Sequence, residues 1–183
     1  QAAALNEGHL NVLDFGGSLG SAYFQNRKFF EKLKEVRWSI VEQPHVADAG
    51  QKYIQTDNLR FFESIDDCIK TESPSVILLS SVLQYVEHPY AILEALTKTT
   101  ATMMIIDRTP YTYEASNSLW IQHVSPRIYS ASYPMHVFSE TEFLEKIVKN
   151  WSITADYTSP EGHIKSSAGN FVFKGYMLAR NNS

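Results

Sequence analysis

The sequence is poor in cysteine: Cys68 stands alone among 183 residues, so no disulfide can form within the chain. A lone thiol fits a reducing compartment, and a cytoplasmic location is the expectation. There is no run of 18 apolar residues and no signal-peptide pattern, so no membrane span is expected. Lys and Arg form no block and the net charge is -4, which speaks against a nucleic-acid surface. The six histidines are dispersed and Cys68 pairs with none of them, so no metal site is expected. Repeats and low-complexity segments are absent. What remains is an ordinary globular composition, 44% apolar and 20% charged. The length suits one domain with a substantial core, taken as residues 1–183. The first strand begins about ten residues in, which leaves room for an upstream N-terminal segment, a targeting sequence included.

What is present is a rhythm. Apolar runs alternate with helical patterns, the sign of βαβ units and a mostly parallel sheet. Strands are predicted at 10–15, 36–41, 59–62, 76–80 and 102–107. A helix at 21–35 places Ala22, Phe29, Leu33 and Val36 near one face. Pro44 suits the first turn of a helix to residue 53, with Val46 and Ala49 inward. Further helices are predicted at 64–69 and at 89–98, the latter with Ile92, Leu93 and Leu96 inward. The stretch 108–137 has no clean period. Ser139-Glu-Thr-Glu142 reads as a capping box opening a helix to about residue 150, burying Phe143, Leu144 and Ile147. Two last strands at 151–157 and 171–179 flank a loop at 159–170 and can pair antiparallel.

The first strand leaves through Asp14-Phe-Gly-Gly-Ser-Leu-Gly20, three glycines within five residues. In an open α/β sheet, ligands bind outside the carboxyl ends of the strands. Glycines let a ligand approach the main chain, and the helix that follows offers unpaired N–H groups. Asp14 would accept hydrogen bonds from a ligand or from the turn itself. The spacing fits neither the dinucleotide fingerprint G-x-G-x-x-G nor the P-loop. Glu42 ends the second strand, where a carboxylate can bind both hydroxyls of a ribose or stand solvated.

In this order VLDFGGSLG, SIVEQP, LRFFESIDD, VILLSSVLQYVEHPYAILEAL and MIIDRTP resemble S-adenosylmethionine-dependent methyltransferases. The chain is most similar to a bacterial group found with surface-polysaccharide genes, from Asn11 to Arg180. One departure is clear: the family's acidic-x-G-x-G-x-G has Ser18 for its middle glycine, with Gly17 beside it to supply flexibility. The resemblance implies a Rossmann-like α/β fold: seven strands, mostly parallel, an antiparallel last strand and helices on both faces. It implies S-adenosylmethionine as cofactor. Asp14, Gly16, Gly17, Ser18 and Gly20 would shape the pocket for its amino-acid end. Glu42 would hold the ribose, Gln43 would flank the adenine, Phe62 and Glu63 would border it, and Ser80 and Ser81 would line the floor near the sulfonium.

The acceptor side is less defined. Tyr85 and Gln84 either face the transferred methyl or, for Tyr85, pack under the next helix. His88, before Pro89, reads as a surface or capping residue. Arg108 suits a carboxylate or phosphate, or pairs with Asp107 or Glu114. Tyr111, Tyr113, Trp120, Tyr129 and Tyr133 form an acceptor wall or a packed lid. His123 and His136 are candidate bases or bystanders; the catalytic set is taken as His123, Arg108 and Tyr85. The expected activity is methyl transfer to a small molecule or a glycan, a surface-polysaccharide sugar by analogy. The alternative is a non-catalytic S-adenosylmethionine-binding partner or regulator in a glycan-assembly complex.

Overall fold

A computed structural model describes residues 2–127, 130–166 and 169–181, so Tyr129 lies outside the described residues. The chain divides into two compact units, Gln1–Ser80 with Tyr90–Ile105, and Ser81–Pro89 with Ile106–Ser183.

The first unit alternates helix and strand: α1 (Ala2–Leu5), β1 (His9–Phe15), α2 (Ser21–Phe30), β2 (Glu35–Val41), α3 (Pro44–Tyr53), β3 (Leu59–Phe62), α4 (Ile65–Thr71) and β4 (Val76–Ser80). Most of α5 (Pro89–Thr97) and the start of β5 (Met103–Thr112) complete it. The strand order is β3-β2-β1-β4-β5. β1 runs parallel to β2 and β4, and β2 runs parallel to β3. The chain steps outward from β1 to β3, then returns to β4 on β1's other side. That reversal makes the carboxyl end of β1 the topological switch point, the place where open sheets of this kind take their ligands.

The core of this unit joins Val12, Trp38, Ile40, Leu59, Phe61 and Val76. Phe29, expected inside, is 78% exposed. The helix stops at Phe30, and its buried side is set by Tyr23 and Phe30. Their rings lie 5.9 and 5.6 Å from that of Trp38; Ala22 packs on the same core as expected, while Phe30 takes the place expected of Phe29. In α3 the fully buried positions are Ala47 and Gly50 rather than Val46 and Ala49, which are only half-buried. Gly50 lies flat on Phe61, whose ring a Cβ would meet at 2.3 Å. Cys68 is buried, which pushes its thiol up to about 12, so it is inert at neutral pH.

The second unit holds a short 3-10 turn (Leu83–Tyr85), the rest of β5, β6 (Ser118–His123), β7 (Ser132–Ser139), α6 (Glu140–Ile147), β8 (Trp151–Ser166) and β9 (Gly169–Arg180). β7 pairs parallel with the end of β5 and antiparallel with β6, while β8 and β9 form a long antiparallel ribbon. A small core of Met135, Val137 and Phe171 is closed by Trp120, Ile164 and Phe173.

The structure is therefore the expected mixed α/β fold with a mostly parallel sheet and an antiparallel part, but it has nine strands among the described residues, not seven. The two additional strands lie in the stretch that showed no period. In β6 the alternation is masked because Leu119 and Ile121 are exposed while Trp120 packs on Phe171. The expected loop at 159–170 is largely strand: β8 continues to Ser166 past a register shift between Thr158 and His163. The capping box does not form. Ser139 ends β7, its side chain makes no cap hydrogen bond, and Glu142 bonds Lys146 instead. Among the described residues no helix is long and apolar enough to cross a membrane.

Candidate functional site

The turn after β1 is built on alternate left-handed residues. Gly16, Ser18 and Gly20 have φ of 73°, 52° and 92°. Ser18 itself, not Gly17, takes the left-handed conformation. A non-glycine residue there stores about 1–3 kcal/mol of strain, so the surroundings must hold it. They do so through Glu42: the Ser18 N–H donates to Oε1 at 3.0 Å, and the Gln43 N–H donates to Oε2 at 2.8 Å. The Gly16 N–H donates to the Val41 carbonyl at 2.9 Å, extending the β1–β2 ladder to the turn.

Gly17 has a different duty. A Cβ on it would lie 2.5 Å from Asp14 Oδ2, so only glycine lets the turn close over that carboxylate. Asp14 is 2% exposed and accepts the Trp38 indole N–H at 2.9 Å. Burial pushes its pKa up to about 6; the Trp38 bond opposes the rise and the nearby Glu42 charge adds to it. Glu42 thus braces the turn by hydrogen bonds, while Asp14 packs close against Gly17 and bonds Trp38.

The other expected cofactor residues of this unit gather at the same strand ends. The Glu42 N–H donates to the Phe62 carbonyl at 3.0 Å. Phe62 is half-buried and Glu63 beside it is exposed, as is Gln43 at the start of α3. Ser80 is the last residue of β4, two positions beyond Leu78, which pairs with Asp14. Glu42 spends one lone pair of each oxygen on main-chain donors and keeps the others, enough for two ribose hydroxyls.

In the second unit the expected residues form two groups. Ser81 and Arg108 are both left-handed, at φ 56° and 54°. The Ser81 N–H donates to the Asp107 carbonyl at 2.9 Å. Gln84 Nε2 donates to the Arg108 carbonyl at 3.1 Å and to Ser81 Oγ at 3.3 Å. The Arg108 side chain pairs with neither Asp107 nor Glu114. Its Nε and Nη2 donate to one oxygen of Glu161, at 2.6 and 2.5 Å. Tyr85 belongs to the other group: its hydroxyl donates to Gln122 at 2.9 Å and its ring meets Tyr133 edge-on. His123 is the next residue along β6, so the pleat turns it to the opposite face from Gln122, and the structure does not bring it to Tyr85. His136 stacks on Phe138, Tyr111 is buried among Phe138, Phe143 and Tyr176, and Tyr113 and His88 are exposed.

Four participants were not anticipated: Trp38, Tyr157, Ser159 and Glu161. Tyr157 donates to Asp107 Oδ1 at 2.9 Å, and Ser159 approaches it at 3.4 Å. Burial, with the Asp107 carboxylate beside it, pushes the Tyr157 phenol above its ordinary range. For the three in β8 the signal was Pro160 and Gly162, which marked a distortion but not where it would aim its neighbours. Residues 16–20 also spell the Gly-x-Ser-x-Gly of a nucleophile elbow on a strand–turn–helix. Among the described residues no hydrogen bond joins the Ser18 hydroxyl to a histidine, so that reading lacks its base. No group of three or more His, Cys, Asp or Glu that could hold a metal occurs among the described residues.

No protein-family model matches the sequence, and no curated protein matches it in sequence comparison. Solved structures do match. A complex of LepI with S-adenosylmethionine superposes with TM-score 0.61 at 12% identity, over 94% of this chain and 43% of that one. The 1,6-didemethyltoxoflavin-N1-methyltransferase of Burkholderia thailandensis, with S-adenosylhomocysteine bound, gives 0.59 at 14%, over 99% and 77%. A S-adenosylmethionine-dependent methyltransferase from Methanosarcina mazei gives 0.61 at 11%, over 93% and 91%. The chain spans less than half the length of LepI. At these identities the likeness defines the fold, that of class I S-adenosylmethionine-dependent methyltransferases.

Proposed function

We propose that this chain binds S-adenosylmethionine at the β1 turn and transfers its methyl group to a small-molecule or glycan acceptor, a sugar of a surface polysaccharide being the expected one. The observation that carries the reading is the Glu42 carboxylate bonded to the N–H of Ser18, itself left-handed between the left-handed Gly16 and Gly20. It combines an open main chain with an acid at the tip of the neighbouring strand, the pairing a nucleoside needs. The donor set fits the group. Glu42 takes the ribose hydroxyls, Gln43, Phe62 and Glu63 border the adenine, Gly16, Ser18 and Gly20 line the amino-acid end, and Ser80 lies near the sulfonium. Asp14 acts through the turn it supports. Methyl transfer needs little more than positioning, because the cofactor's sulfonium is already a good leaving group. When bound, the cofactor would supply the methyl group, with S-adenosylhomocysteine as leaving group and a hydroxyl acceptor's proton passing to solvent.

Calorimetry with S-adenosylhomocysteine and with NAD on the same sample tests the cofactor. Binding of the first and not the second is expected; the reverse pattern, or neither, overturns the reading. Labelled S-adenosylmethionine incubated with candidate glycans then tests transfer. Tight binding with no transfer to any acceptor would favour a non-catalytic partner role.

A further inference from the structure

β3 ends the strand order of the first unit, with β2 on one side and no strand on the other. In a parallel pair, alternate residues bond to opposite sides of a strand. The Trp38 N–H donates to the Asn58 carbonyl, and the Glu42 N–H donates to the Phe62 carbonyl. The even-numbered residues of this stretch therefore serve β2. Leu59 and Phe61 turn four main-chain groups the other way, out of the sheet. An edge of this kind is a template for another strand, and native proteins blunt it with charge, proline, bulges or a cover. The sequence of β3, Leu-Arg-Phe-Phe, has no proline, and its register with β2 has no shift.

All four outward groups are closed by the chain's own atoms. The Leu59 N–H donates to Thr56 Oγ1 at 3.1 Å, and the Leu59 carbonyl accepts the Thr56 N–H at 2.9 Å. The Phe61 N–H donates to Gln55 Oε1 at 3.2 Å, and the Phe61 carbonyl accepts from Gln51 Nε2 at 2.9 Å. A neighbouring strand would supply the same donors and acceptors. A glutamine amide can do so because it carries the N–H and C=O of a peptide group. The end of α3 sets the reach. Gly50 packs flat on the Phe61 ring, which brings the last turn of the helix close to β3. Gln51 is the next residue. The N–H groups of Ile54 and Gln55 both donate to the Gly50 carbonyl at 2.9 Å, which ends the helix and anchors Gln55. Gln51 and Gln55 are both exposed, so exposure alone would accept any polar residue at either position. The bonds to Phe61 are what single out an amide.

We propose that Gln51, Gln55 and Thr56 form an edge cover that closes β3 to strand addition, so that this edge does not pair with an extended segment of another chain or with β3 of a second copy. The proposal stands apart from the proposed function, since none of the three belongs to the cofactor site.

The test uses the whole chain. Gln51→Ala combined with Gln55→Ala uncovers both groups of Phe61 and leaves Thr56 in place. Light scattering is read over rising protein concentration, at a temperature where circular dichroism shows every variant folded. The weight-average mass should climb more steeply for the alanine pair than for wild type. Gln51→Lys combined with Gln55→Lys removes the same bonds but sets two charges on the edge, and it should follow wild type. The lysine pair thus separates an open edge from a plain loss of stability. Native-state hydrogen exchange gives a second measurement that needs no association. The Phe61 amide should be protected in wild type, and Gln55→Ala should cut that protection about tenfold, while the Leu59 amide, closed by Thr56, keeps its own. If the alanine pair does not fold, exchange in wild type and in Gln55→Ala decides alone. Superposable mass curves for wild type and a folded alanine pair overturn the proposal. So does equal association of the alanine and lysine pairs, or a Phe61 amide that exchanges freely in wild type.

Discussion

The main-chain N–H of Ser18 and the carboxylate of Glu42 meet at 3.0 Å, joining the turn after β1 to the end of β2. Each was a modest signal by itself: a serine where a glycine is usual, and an acid at a strand end. Together they explain each other. The carboxylate holds Ser18 in a conformation it would otherwise leave, and the turn in return fixes the carboxylate.

Glu42→Ala should weaken S-adenosylhomocysteine binding by about 1–3 kcal/mol, because the ribose hydroxyls lose a charged acceptor. The same change removes the brace from Ser18, so a modest loss of thermal stability should accompany it. Glu42→Gln keeps one acceptor oxygen and should recover part of both. Titration calorimetry on the three proteins decides; equal affinities would remove Glu42 from the site.

Asp14 predicts an unusual pH dependence of folding. Its carboxyl is raised from 3.8 to about 6 by burial, so the native state keeps its proton where the unfolded chain has lost it. A raised acid contributes stability that is fully present below the unfolded value and fades as pH climbs through the folded one. A gap of about two pH units corresponds to about 3 kcal/mol. Urea unfolding at several pH values from 4 to 7 should show wild type losing about that much relative to Asp14→Asn. Parallel pH curves for the two proteins would contradict a buried, raised Asp14.

Gly17→Ala probes the contact above that carboxylate. The added methyl would meet Asp14 Oδ2 at 2.5 Å, and the carboxylate cannot swing away without losing the Trp38 indole. Overpacking of this kind costs about 1–3 kcal/mol. Urea unfolding should therefore show a lower midpoint with an unchanged slope. A neutral result would mean that Asp14 is not pinned.

The first unit was largely legible in the sequence because its signals are local. Apolar runs at 59–62 and 76–80 match β3 and β4 residue for residue, and Pro44 marked the start of α3. The inward aromatic of α2 was misplaced because Phe29 and Phe30 are equally apolar, and only the distant Trp38 chooses between them. The second unit hides its signals. β6 exposes Leu119 and Ile121, so hydrophobic alternation points the wrong way. Pro160 and Gly162, ordinary markers of a loop, sit inside a strand as a bulge. The Arg108–Glu161 pair spans 53 residues, and no spacing rule reaches that far.

Gly175 in β9 tests whether the β8–β9 ribbon positions Asp107. A Cβ there would come within 2.2 Å of the Tyr157 ring, and the Tyr157 hydroxyl donates to Asp107. Gly175→Ala should therefore push the phenol off Asp107 and destabilise by about 1–3 kcal/mol. In a Tyr157→Ala background the methyl meets no ring, so the second substitution should cost much less. The coupling in that double-mutant cycle isolates the contact from the effect of removing glycine itself. Additive free energies would show that the ring yields without strain, and that Asp107 is held by something other than Tyr157.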